Sequence, residues 1–161
     1  MKNIFVLCVL FCVGLAVAQG PRSQPLEVNK FGYWSGGAIK ASVMQLKPGE
    51  RPAFSRLNRG DHNFNMNHRV KSGNPEMHSD WTDIYIVQQG EATLVHGGKL
   101  EGATERRPGE FGGEKIVGGS RQKLVAGDIA SSPAGMPHQW VIEDGKTFTY
   151  VTVKVAKHDM P

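Results

Sequence analysis

Glu76, His78, Asp83 and His138 are the residues of this chain whose types and spacing could do chemistry. Glu76 and His78 stand two apart in Pro75-Glu76-Met77-His78-Ser79-Asp80-Trp81-Thr82-Asp83, and residues two apart on a strand share a face. A tight turn over residues 79–82 then returns Asp83 toward them at the start of the next strand. In Gly127-Asp128-Ile129-Ala130-Ser131-Ser132-Pro133-Ala134-Gly135-Met136-Pro137-His138, the Pro133-Ala134-Gly135 turn ends one strand and delivers His138 at the start of another. Two imidazoles and two carboxylates from separate strands can thereby converge. Side chains of these two kinds exchange protons and take up cations.

The elements able to position them are strands. Gly and Pro, 20 and 9 in 161 residues, interrupt almost every window of eleven, and apolar positions alternate instead of recurring with helical spacing. Over residues 62–70 the alternation sets Phe64, Met66, His68 and Val70 on one face and Asn63, Asn65, Asn67 and Arg69 on the other. The first face is expected to enter the interior, which makes His68 a candidate acid or base, with a satisfied core histidine as the plainer reading. Asp83 to Gln89 and Ala92 to His96 read as two strands joined by a turn at Gly90-Glu91, and further strands are expected over 123–125, 129–131, 138–142 and 147–155. Tyr85 and Val87 share the face of Asp83, and Trp140 shares that of His138, so these three are expected to wall a pocket. Residues 97–122 hold eight glycines and read as a long loop, either a lid or an excursion, with room for a short strand at Lys115-Ile116-Val117.

On these residues the chain resembles the cupin family. The family's second motif, Gly, five residues, Pro-x-Gly, two residues, His, is matched at every fixed position from Gly127 to His138. Its first motif, His-x-His, four residues, Glu, six residues, Gly, is matched in spacing: His78 and Gly90 fit, Glu76 stands where the first His would be, and Asp83 stands where the Glu would be. Ile142 replaces the Asn that often ends the second motif. The likeness spans roughly residues 43–155 and implies an all-β fold, a single antiparallel β-barrel of the jelly-roll type with a site inside. It also implies that His78 and His138 are metal ligands, with Asp83 in the Glu position. Glu76 keeps an oxygen donor, so a set of two His and two carboxylates suits Mn²⁺, Fe²⁺ or Zn²⁺. The competing reading is a cupin without metal, whose two histidines only hydrogen-bond inside the barrel. The family further makes a homodimer an expectation.

Lys2 followed by an apolar run from Ile4 to Val17, ending in Ala16-Val17-Ala18, has the pattern of a secretory signal peptide cleaved before Gln19. The run is shorter than the ~20 residues of a spanning helix. The expected organisation is a signal peptide at 1–18, an N-terminal arm and first strand at 19–42, the barrel at 43–156 and a tail at 157–161. Cleavage removes Cys8, Cys12 and Lys2, leaving 143 of 161 residues with no thiol and lowering the formal net charge by one from +4. Disulfides and thiol chemistry are then excluded, and the charge is too small and scattered for nucleic acid. The expected product is secreted, free of the membrane after cleavage and a receptor for a small molecule. Its function reads as a metal-dependent enzyme of lyase, decarboxylase, isomerase or dioxygenase type, or else as a non-catalytic ligand- or metal-binding and storage barrel.

Overall fold

Antiparallel pairing organises the computed structural model, which describes residues 31, 33, 35–44, 56–58 and 60–157. The signal-peptide reading, most of the arm and the tail beyond Lys157 lie outside the described residues. Among these, one helix, α1 (Gly36–Met44), precedes twelve strands: β1 (Arg56–Asn58), β2 (His62–Arg69), β3 (Glu76–His78), β4 (Trp81–His96), β5 (Lys99–Glu101), β6 (Thr104–Arg107), β7 (Glu110–Gly112), β8 (Lys115–Val117), β9 (Ser120–Val125), β10 (Ile129–Ser132), β11 (His138–Val141) and β12 (Phe148–Ala156). One face of the barrel runs β1-β2-β12-β4-β10, and the other runs β9-β4-β11-β3-β7-β6. β5 and β8 pair as a separate ribbon.

β4 belongs to both faces, which corrects the expectation of two strands and a turn. It continues for 16 residues through Gly90, whose φ of +79° lets the chain bend from its partner β12 toward β9 and β11. The register against β12 slips between Thr149 and Tyr150, the extra residue of a bulge that sharpens the bend. A Cβ at Gly90 would collide with the Thr147 carbonyl oxygen, so the position needs glycine for space as well as for φ.

Two further expectations are corrected. Residues 36–44 form a helix where an arm and first strand were expected, and Val43, placed in the barrel by its sequence, is on that helix. The Ser35 hydroxyl accepts from the Ala38 N–H at 3.1 Å, an N-cap that offsets the two glycines behind it. Residues 97–122 are not an irregular loop. They fold into β5 to β8 and the start of β9, with Lys115–Val117 forming the one short strand that was anticipated.

The alternation of β2 is real, but its faces are reversed. Asn65, Asn67 and Arg69 point into the barrel, while Phe64 is on the outside and 39% exposed. β12 behaves likewise, turning Tyr150, Thr152 and Lys154 inward. The barrel interior is thus graded along its strands. The inner residues of β4 and β12 run from Asp83 opposite Lys154 at one end to Val87 and Phe148 at the other. The apolar end is closed by four interlocked rings, Tyr85, Trp140, Phe148 and Tyr150, at centroid separations from 4.7 to 6.0 Å.

Candidate metal centre

Strand register, more than side-chain reach, assembles the site. His138 lies directly opposite Glu76 across β11 and β3, His78 directly opposite Glu110 across β3 and β7, and Lys154 directly opposite Asp83 across β12 and β4. Residues opposite one another on one face are ~5 Å apart at Cβ, so each pair can meet. The two sequence motifs are also laced together through the backbone. The Gly135 N–H donates to the His78 carbonyl at 2.7 Å, and the Ala134 N–H donates to the Thr82 hydroxyl at 3.3 Å.

The four expected residues converge. His78 Nε2 is 3.4 Å from Asp83 Oδ2, and His138 Nε2 is 3.6 Å from the same oxygen and 3.5 Å from Glu76 Oε1. His78, Asp83 and His138 are buried, whereas Glu76 is half-buried. The His138 Nδ1–H donates to the Met136 carbonyl at 3.0 Å, and a carbonyl can only accept, so Nε2 is the bare nitrogen of the neutral ring. Glu110 Oε2 stands 2.8 Å from His78 Nδ1, a contact without hydrogen-bond geometry that sets a negative charge beside the ring.

Charge is balanced tightly within this cluster. Burial works to raise the Asp83 carboxyl, but contact with His78 and the charge of Lys154, whose Nζ is 3.1 Å from Oδ1, hold it below the usual carboxylate range. Burial works to lower His78, yet the same Asp83 contact outweighs it and the imidazole ends above its ordinary value. The Tyr85 hydroxyl donates to Asp83 Oδ2 at 3.2 Å and, buried beside that charge, is held well above a free phenol.

The donor set suits a divalent cation. Glu76, His78 and His138 each offer one ligand atom, all within 4.8 Å of one another, and both Nε2 atoms, together with His78 Nδ1, are buried with no hydrogen-bond partner. Buried imidazole nitrogens that face carboxylates without a hydrogen bond are costly unless a cation or proton occupies the space between them. Outer partners on the Nδ1 side are what orient metal-binding histidines. Glu110→Gln is therefore expected to weaken divalent-metal affinity by about tenfold or more. Titration against a chelating dye reads this directly, and a change under about twofold would show that the contact with His78 is incidental.

Above the cluster lies an open cavity of about 170 Å³. Tyr85 and Trp140 wall it as expected. Val87 does not, because it sits 2% exposed in the apolar core beyond the rings. His68 is also displaced from its expected position. It lies on the outer face of β2, with Nδ1 2.8 Å from the Thr149 hydroxyl, and takes no part in the cavity. Hydrophobicity pointed to the wrong face because the cavity wall is itself polar. That reversal hid Asn65, Asn67 and Arg69, and Lys154 with them. The run of Tyr150, Thr152 and Lys154 alternating with Val151, Val153 and Val155 was the available signal, since a strand paired between two others can also turn its polar side inward.

No family model and no curated protein matches the chain. Among solved structures, a protein with a double-stranded β-helix domain from Klebsiella pneumoniae is 21% identical, covering 78% of this chain and 90% of its own, with a TM-score of 0.52. A protein from Neisseria meningitidis is 12% identical over 73% of this chain and 95% of its own, at a TM-score of 0.49. A cupin protein from Bacteroides fragilis is 13% identical over 63% and 70%, at 0.43. The likeness to the first of these extends to the fold alone and agrees with the two-faced strand order found here. The chain is a single antiparallel β-barrel of the jelly-roll, or double-stranded β-helix, type.

Proposed function

We propose that the protein is a divalent-metal-binding barrel acting on a small molecule held in the cavity above His78 and His138. The observation that carries this reading is the pair of buried Nε2 atoms without hydrogen bonds, converging with Glu76 and Asp83 at the floor of a polar cavity. A bound Mn²⁺, Fe²⁺ or Zn²⁺ would supply Lewis acidity and coordination positions open to substrate. The protein's own groups do the rest. Met136 holds the His138 ring, Glu110 sets a negative charge beside His78, Lys154 anchors Asp83, and the aromatic floor of Tyr85 and Trp140 keeps water from the inner side of the site. Such a site supports lyase, decarboxylase, isomerase or dioxygenase chemistry. We include in the proposal that the protein is exported and loses residues 1–18, on the strength of the basic start, apolar run and Ala16-Val17-Ala18.

Metal analysis by plasma mass spectrometry tests the central claim, run on exported protein whose first residue is expected to be Gln19. Near-stoichiometric Mn, Fe or Zn is expected in the native protein and none in the His78→Ala, His138→Ala double variant. A native protein that stays metal-free after reconstitution with each ion would overturn the metal reading, and a mature chain that still begins at Met1 would overturn export.

A further inference from the structure

Each carboxylate on the cavity wall has a nitrogen near it. Asp83 has Lys154 at 3.1 Å, Glu110 has His78 at 2.8 Å, and Glu76 has His138 at 3.5 Å. Arg69 is the exception. Its Nε–H donates to the Tyr150 hydroxyl at 2.8 Å, a neutral partner, and the charge of Glu76 acts on it through space, but among the described residues no carboxylate makes a direct ion pair with its guanidinium. The group is nevertheless held in place. It lies over the Tyr150 ring at 5.9 Å, and Nη1 packs against Gly73, where an added Cβ would stand 2.9 Å away. A guanidinium on a cavity wall that feels a carboxylate only at a distance keeps its planar fork available for a carboxylate in direct contact.

Charge balance points the same way. With a divalent cation at the histidines, the wall holds that ion, Arg69 and Lys154 against Glu76, Asp83 and Glu110, which leaves one positive charge uncompensated. One negative charge on the ligand neutralises it, whereas a neutral ligand leaves the cavity charged and a dianion overshoots. At about 170 Å³ the space is smaller than the ~300 Å³ at which pockets begin to admit drug-sized molecules.

We infer that the cavity selects small monocarboxylic acids, with Arg69 taking the carboxylate and the remainder of the molecule turned toward the histidine pair. This rests on the reading of the cavity as a small-molecule site. Arg69 becomes the residue that sets ligand charge, and the histidine cluster the place where chemistry occurs.

Isothermal titration of the metal-loaded chain from Gln19 onward tests it, with acetate, lactate and pyruvate as probes, acetamide and lactamide as neutral counterparts, and sulfate as a general anion. At least one acid is expected to bind about tenfold or more tighter than its amide, the gain of a charge-assisted pair over a neutral one. Arg69→Gln is expected to erase that preference with metal content unchanged, and Arg69→Lys to restore only part of it. If Arg69→Gln does not fold, Tyr150→Phe removes the Nε anchor and should weaken the same acid by roughly two- to fivefold. Acids and amides binding alike, no acid binding at all, sulfate binding as tightly as the best acid, or a preference that survives Arg69→Gln would each overturn the inference. Metal content measured on the same samples separates the two readings. An Arg69-dependent preference in a protein that holds no metal sinks the metal site and the charge balance drawn from it, leaving the contact between Arg69 and the carboxylate, whereas stoichiometric metal without the preference sinks only the acid site.

Discussion

Lys154→Met is expected to destabilise the metal-free protein by roughly 3 kcal/mol, the lower end of the cost of removing one partner of a buried pair. Asp83 is almost fully buried and its Oδ1 faces the Lys154 ammonium at 3.1 Å, so the variant strands a carboxylate in the barrel. The cost stays at the low end because the Tyr85 hydroxyl and His78 still face Oδ2. Two companion measurements isolate the cause. Lys154→Met combined with Asp83→Asn removes both charges and should recover most of the loss, since replacing a buried pair outright is often near neutral. Urea unfolding at neutral pH reads all three proteins through the shift in midpoint at constant slope. A double variant no more stable than Lys154→Met would show that the lysine acts through packing of its stem rather than through its charge.

Trp140→Ala should cost ~4 kcal/mol, within the range for removing a large buried aromatic. The ring is 2% exposed and touches Tyr85, Phe148 and Tyr150 at centroid separations of 5.1, 4.7 and 4.9 Å. These neighbours come from β4 and β12, so removing Trp140 takes the middle from a stack that joins three strands, and rigid strands cannot collapse into the gap. Trp140→Phe, which keeps a ring there, is expected to retain more than half of the lost stability. A Trp140→Ala loss under about 1.5 kcal/mol would show that the remaining rings repack freely and that the apolar end is softer than its spacing suggests.

Legibility divides along the line between local and long-range geometry. The second motif could be read because Gly135, at a φ of +80°, and Pro133 form a turn that places His138 whatever surrounds it. The approach of Glu76 to His78 comes from period-two alternation in the same way. The pairing of His78 with Glu110 was not legible, because it depends on β3 finding β7 across 32 positions of chain and nothing near either residue encodes that register. The reversed face of β2 has a different cause. Its apolar side suggested the interior, yet a barrel that holds a polar cavity must line it with residues such as Asn65, Asn67 and Arg69, so the usual rule changes sign at the functional end. The helix at 36–44 was hidden by Gly36 and Gly37, although Ser35 marked its start.

The segment from Gly97 to Gly119, with its short strands β5 to β8, sends a single side chain, Glu110, to the cluster at the barrel floor. Glu76, His78, Asp83 and His138 come instead from β3, β4 and β11, whose mutual register allows little variation. Scaffold and adjustment are thereby separated along the chain. Because β7 is paired with β3, changes of length there would reach the ligand strand, but substitution at Glu110 alone can alter the charge beside His78 while the strand pairing stays intact, which gives natural variation and laboratory selection a place to retune reactivity.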